Sequence, residues 1–158
     1  MLPIRYLTGD ATAPDERGPK IVAHICNDAG GWGRGFVLAI SARWPEPEAA
    51  YRQWYRGRTG NDFALGAVQL VPVSGELFVA NMIGQAGVAA VNGVPPVRYV
   101  AIDLGLATVA SMAEARGASV HMPRIGCGLA GGTWERVEPL ILRRLAAQGV
   151  RAFVYDLQ

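Results

Sequence analysis

The sequence has 158 residues, of which 51% are hydrophobic and 18% are charged, and its formal net charge is +2. These values indicate one compact α/β domain with a substantial core, and they exclude a disordered chain. The small net charge gives no general electrostatic reason for binding to nucleic acid or to a membrane surface.

The cysteine and lysine content indicates the redox compartment of the protein and limits its possible catalytic groups. Cys26 and Cys127 are the only cysteines, which is typical of a reduced cytoplasmic protein. The sequence has no signal peptide, no apolar run long enough to span a membrane and no cluster of residues with metal-ligand spacing. Lys20 is the only lysine, so a lysine acid or Schiff base is nearly excluded. We expect a cytoplasmic location, no membrane contact and no bound metal.

The N-terminal third of the chain predicts two strands followed by two helices. Residues 2–7 read as an edge strand, because Pro3 cannot donate a hydrogen bond in a central one. Residues 20–26 form an unbroken apolar run that is typical of a strand buried on both faces. A helix is expected over residues 34–44, and a second helix is expected to start near Pro47.

The remaining chain predicts a hairpin, two helices and two further strands. Residues 66–73 and 76–83 read as strands joined by a turn at Ser74-Gly75, and residues 98–116 read as an amphipathic helix that ends at Gly117. A strand over 118–124, a helix capped by Thr133 and bent or delayed by Pro139, and a last strand over 150–155 complete the chain. This order predicts a three-layer α/β/α sandwich with a mixed central sheet, as a single domain over residues 1–158.

Two glycine-rich loops each lie between a predicted strand and a predicted helix. The first loop runs from Asn27 to Gly35 and the second from Ile125 to Gly132. Glycines allow backbone N–H groups to approach a ligand, and the start of a helix favours an anion such as phosphate. A tight turn without a ligand is the alternative for such a loop.

A third loop, at Gly9-Asp10, follows the first predicted strand. Ligands of α/β sheets bind beyond the carboxyl ends of the strands, so we expect the three loops to converge on one crevice. The two glycine loops can hold a diphosphate from opposite sides, and Asp10 can accept a hydrogen bond from an exocyclic amine such as that of adenine. A turn or cap residue is the alternative for Asp10. Neither a Rossmann fingerprint nor a Walker loop is present.

Three segments carry a resemblance to the macro domain, the fold that binds ADP-ribose. They are Gly9-Asp10-Ala11-Thr12, the run from His24 to Phe36, and the run from Met122 to Trp134, which occur in the order typical of the family. The resemblance spans essentially the whole chain. It is strongest to the branch that includes the terminal ADP-ribose glycohydrolases and the macro module of a chromatin remodeller.

The resemblance implies a set of binding residues. Asp10 would hold the adenine amine, Asn27 and Asp28 would lie near the distal ribose, and Tyr155 or Asp156 would border the adenine. ADP-ribose would be the ligand or product, with no cofactor. The ligand-binding residues implied are Gly9, Asp10, Ala11, Asn27, Gly30, Gly31, Trp32, Gly33, Arg34, Gly35, Pro123, Ile125, Gly126, Cys127, Gly128, Leu129, Ala130, Gly131, Tyr155 and Asp156.

The catalytic groups of the hydrolytic relatives are missing from this sequence. Those relatives use a lysine and an aspartate; the aspartate position is occupied by Ala130, and no lysine follows the strand that ends near Gly84-Gln85. We therefore exclude that mechanism. Another route would use Asp28 to orient a water and Gln85 or backbone amides to polarise the leaving group. A thiolate nucleophile at Cys127 is a further alternative, with a packing role favoured; core roles are favoured for His24 and His121.

Three functions remain open. The first is a hydrolase that binds ADP-ribose and releases mono-ADP-ribose from acyl-linked Glu or Asp on a protein, or from ADP-ribosylated nucleic acid. A non-catalytic reader of ADP-ribose is the alternative, and an unrelated nucleotide-binding enzyme on a similar sheet is the third. The single-domain length favours the hydrolase over the reader.

Overall fold

The computed structural model describes residues 2–157; Met1 and Gln158, which the predicted domain bounds include, lie outside the described residues. Residues 2–157 form one six-stranded sheet in the order β1-β6-β5-β2-β4-β3. Neighbouring strands are parallel except for β3, which is antiparallel to β4 at one edge. The strands are β1 (Arg5–Thr8), β2 (Lys20–Asn27), β3 (Val68–Ser74), β4 (Leu77–Gln85), β5 (Ser119–Met122) and β6 (Ala152–Asp156).

In the described part of the chain, four α-helices cover both faces of the sheet, so the predicted three-layer sandwich is confirmed. They are α1 (Phe36–Arg43), α2 (Glu46–Arg56), α3 (Tyr99–Arg116) and α4 (Trp134–Arg144), with a short 3-10 helix at Ala146–Gln148. Successive side chains of β2 point to opposite faces of the sheet and so pack against different helix layers. Ile21 packs in the cluster built with α3 and α4, whereas Val22 packs in the cluster built with α1 and α2. Both side chains are fully buried, as the unbroken apolar run predicted.

Most predicted elements are present, with shifted ends. Strand β1 lies at the sheet edge but begins at Arg5, and β4 runs to Gln85, two residues past its predicted end. Gly117 adopts a left-handed conformation (φ 62°) and ends α3. Thr133 is the N-cap residue of α4, as predicted, but it makes no side-chain cap hydrogen bond; its backbone carbonyl accepts from Arg136 and Val137.

The topology brings five loops to one edge of the sheet. Because β1, β6, β5, β2 and β4 are mutually parallel, their carboxyl ends all lie at that edge. The residues at or just beyond these ends are Gly9, Asp156, Pro123, Asn27 and Gln85. Within residues 2–157, no helix is long and apolar enough to cross a membrane.

Candidate functional site

A cleft at this edge is divided into two chambers of about 380 Å³ each. Five residues line both chambers: Ile25, Arg34, Val37, Gln85 and Leu129. The first chamber is otherwise lined by His24, Gly35, Phe36, Pro123, Arg124, Ile125, Gly126, Gly128 and Ala130. The second is otherwise lined by Cys26, Asn27, Gly31, Trp32, Gly33, Val88 and Ala89. The two glycine loops predicted to converge therefore do so.

The first glycine loop is held by its own first residue and by a buried tyrosine. The Asn27 carboxamide accepts from the N–H groups of Ala29 (2.9 Å) and Gly31 (3.1 Å) and donates to the Gly31 carbonyl (2.8 Å). The Tyr51 hydroxyl donates to the Asn27 carbonyl (2.6 Å) and accepts from Gly30 (3.1 Å). Asn27 lines the second chamber, but its amide is already used within the loop, and Tyr51 was not foreseen from the sequence.

The glycines of the second loop mainly allow close packing. A Cβ on Gly132 would stand 2.5 Å from the Gly126 carbonyl oxygen, and one on Gly131 would stand 2.7 Å from Pro95. Gly128, by contrast, has open space around it. Leu129 reaches across the cleft, since its Cδ1 lies 3.3 Å from the point where a Cβ on Gly35 would stand. Leu129 thus brings the second glycine loop into contact with the first.

Both glycine loops that line the cleft contain backbone N–H groups without a protein acceptor among residues 2–157. Among residues 2–157, the N–H groups of Gly33, Arg34 and Gly35 have no protein acceptor, and neither do those of Gly128 and Leu129. The first set lies where the chain enters α1, whose amino end carries a partial positive charge. Two opposed sets of unpaired donors suit a ligand with two anionic groups.

The side-chain charge of the cleft is positive. Arg34 is exposed and makes no ion pair within residues 2–157. Arg124 pairs with Asp156 through two hydrogen bonds of 2.7 and 2.9 Å, which raise the pKa of Arg124 and lower that of Asp156. Among the described residues, none that lines either chamber is Asp, Glu or Lys.

The third predicted loop lines a separate depression of about 260 Å³ instead of the cleft. Gly9, Asp10 and Tyr155 lie there together with Asp15 and Glu16, so this acidic depression has the opposite charge to the cleft. Phe36 lies between the two regions because it lines the first chamber and packs against the cluster of Ala11, Phe153 and Tyr155. The single crevice expected from three loops is therefore two regions divided by an aromatic ring.

Asp10 has the turn role that was its alternative interpretation. Its Oδ1 accepts from the backbone N–H (2.8 Å) and the hydroxyl (2.7 Å) of Thr12, and its Oδ2 pairs with Arg43 at 3.4 Å. Burial alone would raise the pKa of Asp10, but these hydrogen bonds outweigh it and hold the pKa below its ordinary value. The carboxylate remains partly exposed, and contact with an adenine amine stays a prediction.

A buried neutral histidine lies beside each region. The Asn81 amide donates to Pro47 and Gln69, so its oxygen must accept from His24 Nε2 (2.5 Å), and Nδ1 of His24 is left without a partner in residues 2–157. His121, which lines the acidic depression, is hydrogen-bonded to Tyr155 (2.7 Å). Burial lowers the pKa of each histidine to about 4.

The two predicted catalytic residues meet at one glycine. The Asp28 carboxylate accepts from the backbone N–H of Gly87 (2.7 Å), and the Gln85 amide donates to the carbonyl of Gly87 (3.0 Å). Gln85 lines both chambers, whereas Asp28 lines neither. The other predicted binding residues outside the chamber linings are Gly9, Asp10, Ala11, Gly30, Cys127, Gly131, Tyr155 and Asp156.

Cys127 fits packing better than nucleophilic catalysis. The side chain is partly buried against the hydrophobic cluster beneath α3 and α4, and Sγ lies 3.4 Å from the Ile125 carbonyl oxygen. Burial raises the pKa of the Cys127 thiol, which disfavours the thiolate. Within residues 2–157, no group of three or more His, Cys, Asp and Glu residues could hold a metal ion.

Comparison with known proteins finds similar proteins that match nearly the whole of this chain. A macrodomain protein from Streptomyces coelicolor is 59% identical, with coverage of 98% of this chain and 99% of that one and a TM-score of 0.88. The chromodomain-helicase-DNA-binding protein 1-like of Danio rerio is 35% identical over 161 residues, covering 96% of this chain. The chain spans 15% of the length of that protein and 17% of its Mus musculus counterpart. No family model matches the chain.

A more distant structure shares the fold. Thermosipho africanus DarTG in complex with ADP-ribose is 17% identical, with a TM-score of 0.68 over 89% of this chain and 38% of that one.

Proposed function

This chain belongs to the macrodomain family, and on that premise we propose that it binds ADP-ribose across the two-chambered cleft and the adjoining acidic depression. The diphosphate would lie between the two opposed sets of unpaired N–H groups, at Gly33–Gly35 and at Gly128-Leu129, with Arg34 beside it. These opposed donors are the observation that carries the proposal. The distant fold relative in complex with ADP-ribose is consistent with it.

The two ends of the ligand would occupy different surroundings. The adenosine end would lie beyond Phe36, where Asp10 can accept a hydrogen bond from the adenine amine and Tyr155 borders the acidic depression. The distal ribose would occupy the second chamber beside Asn27 and Gln85. This orientation pairs the anionic centre of the ligand with the positive cleft and its amine with the carboxylates.

We further propose that the protein hydrolyses acyl-linked ADP-ribose from modified targets. Water would break the ester bond between the distal ribose and a Glu or Asp carboxyl group, giving ADP-ribose and a free carboxylate. A carboxylate leaves without needing a proton, so this linkage suits a cleft whose described lining holds no Asp, Glu or Lys. We assign polarisation of the leaving group to Gln85, which lines both chambers as Arg34 does.

The lysine and aspartate chemistry of related hydrolases is not available to this chain. Ala130 occupies the aspartate position, and Lys20 begins β2 at the edge of the sheet opposite the cleft. Partners under this proposal are mono-ADP-ribosylated proteins, with ADP-ribosylated nucleic acid as a second substrate class. Reading of ADP-ribose without turnover is the second candidate function. The observation that favours it is that the described lining of the cleft holds no Asp, Glu or Lys to act as a general acid or base.

Turnover assays separate these candidates. The protein is incubated with a glutamate-linked mono-ADP-ribosylated protein and, separately, with ADP-ribosylated DNA, and released ADP-ribose is quantified against the spontaneous rate. We expect release from the acyl-linked protein above that rate, which would be absent for a reader. Binding without release from either substrate would exclude the hydrolase proposal and retain the reader.

A further inference from the structure

We propose that Asp28 is a positioning residue that holds the peptide group of Gly87 and, together with Gln85, fixes the wall of the second chamber. The Asp28 Oδ1 atom accepts from Gly87 N–H at 2.7 Å, and Gln85 Nε2 donates to Gly87 O at 3.0 Å. The Asp28 N–H also donates to the Gln85 carbonyl at 3.0 Å. The inference rests on the proposed function only in that the second chamber is taken to hold ligand.

The clamp formed by Asp28, Gly87 and Gln85 joins the ends of two neighbouring parallel strands. Asn27 pairs with Gln85 where the register of β2 and β4 shifts, so regular strand pairing stops there. The side chain of Asp28 then crosses to the chain leaving β4, and the side chain of Gln85 meets the same residue from the other side. Gly87 has a φ of 71°, a conformation that glycine adopts without strain.

The clamp is the local anchor of the segment that lines the chamber. Within residues 2–157, residues 87–90 make two hydrogen bonds, and both are at Gly87. Val88 and Ala89 follow immediately and line the second chamber. Val88 is 64% exposed, so packing adds little to hold it, although its Cγ1 lies 3.5 Å from the point where a Cβ on Gly31 would stand.

The Asp28 carboxylate therefore accepts a hydrogen bond from the backbone N–H of Gly87, and Asp28 lines neither chamber. A charged acceptor on a backbone N–H makes a stronger hydrogen bond than a neutral one, which suits a segment with few other contacts. Release of this bond would free Val88 and Ala89 to move and would widen the second chamber. The first chamber shares none of these contacts apart from Gln85.

The test compares Asp28→Ala with Asp28→Asn in the full chain. Asparagine keeps an oxygen that can accept from Gly87 but removes the charge, whereas alanine removes the acceptor. Glu114→Ala is the matched control, because Glu114 is an exposed acid near the end of α3, at the sheet edge away from the cleft. Hydrogen exchange of the Gly87 amide is measured by NMR without ligand, so its outcome does not depend on ADP-ribose binding.

We expect Gly87 exchange to rise about tenfold or more in Asp28→Ala, to rise less in Asp28→Asn, which keeps an acceptor without the charge, and to stay near wild type in the control. Affinity for ADP-ribose should fall about tenfold in Asp28→Ala, while affinity for ADP, which lacks the distal ribose, should change little. ADP-ribose release should survive in Asp28→Asn. If Asp28→Ala does not fold, Gln85→Met removes the other half of the clamp and should also accelerate exchange at Gly87.

Two results would overturn the inference. Unchanged Gly87 exchange in Asp28→Ala would show that the hydrogen bond does not hold the segment. Loss of turnover in Asp28→Asn, with normal exchange and normal ADP-ribose affinity, would assign the carboxylate to the chemistry instead. If the wild-type protein binds no ADP-ribose, the proposed function fails, but the exchange experiment still decides whether the clamp exists.

Discussion

The cleft and the acidic depression lie on either side of Phe36 and differ in charge. The described lining of the cleft has two arginines and unpaired backbone N–H groups but no carboxylate, whereas the depression is lined by Asp10, Asp15 and Glu16. The cleft is therefore suited to an anion and the depression to a hydrogen-bond donor. The difference favours a ligand that is anionic in its middle and carries an amine at one end.

The largest effect should come from placing a carboxylate in the cleft. Gly33 lines the second chamber, is exposed and has no heavy atom near the position of an added Cβ, so substitution should not strain the fold. Two like charges about 4 Å apart repel by about 4 kcal/mol near a protein surface. We expect Gly33→Asp to weaken ADP-ribose binding by at least about 100-fold in calorimetry.

Gly33→Asn is the matched control, because asparagine has the same size and no charge. It should retain affinity within about tenfold, since its amide can still approach a phosphate. Equal losses in the two variants would mean that bulk, and not charge, excludes the ligand.

Acid should destabilise both regions through their buried histidines. The folded-state pKa values of His24 and His121 are about 4, below the value of about 6.5 in an unfolded chain. Because the unfolded chain takes up these protons first, stability is fully present above pH 6.5 and is lost as the pH falls toward 4. We expect each histidine to contribute roughly 2 kcal/mol of this loss in urea titrations at several pH values.

Single variants assign the loss to one region or the other. In His24→Leu, the free energy of unfolding should lose the part of its pH dependence that arises beside the cleft. In His121→Phe, it should lose the part that arises beside the depression. A free energy of unfolding that is constant between pH 6.5 and 4.5 would contradict the neutral, buried state of both rings.

Removal of the Arg34 guanidinium should weaken ADP-ribose binding by an intermediate amount. Arg34 lines both chambers without an ion pair in the described residues, so Arg34→Ala should lower ADP-ribose affinity about tenfold. Arg34→Lys should recover part of the loss, because it keeps the charge but not the planar fork. Arg5→Ala, on the N-terminal residue of β1, is the control and should bind as wild type. Equal affinity in Arg34→Ala would remove the arginine from the anion site.

The smallest effect should appear at the depression and should concern selectivity. Asp10 can accept from the amine of adenine, which hypoxanthine lacks, so wild-type protein should prefer AMP to IMP. In Asp10→Asn this preference should fall by about threefold to tenfold, with the Thr12 contacts kept by the remaining oxygen. A preference that survives unchanged would place the base elsewhere.

The sequence predicted the strands, the helices and both glycine loops because these depend on local apolar periodicity and turn chemistry. It could not distinguish glycines that expose N–H groups, such as Gly33, from Gly132, which is required because another loop carbonyl lies too close for a side chain. It also missed Tyr51, which acts on a loop more than twenty residues away.

The prediction for Asp28 shows the same limit most clearly. Its position after a central strand indicated access to the distal ribose, but its partner is Gly87, 59 residues later in the chain. Likewise, the separation of Asp10 from the cleft depends on Phe36 packing against residues of β6. Contacts of this kind follow from strand order in the sheet, which local patterns do not encode.

The most direct test of the central claim is calorimetric titration of the wild-type chain with ADP-ribose at low salt. We expect saturable binding of one ligand per chain that weakens as ionic strength rises, because the diphosphate would be held by N–H donors and an exposed arginine. Absence of binding by a folded sample, as judged by a cooperative thermal transition, would contradict the account.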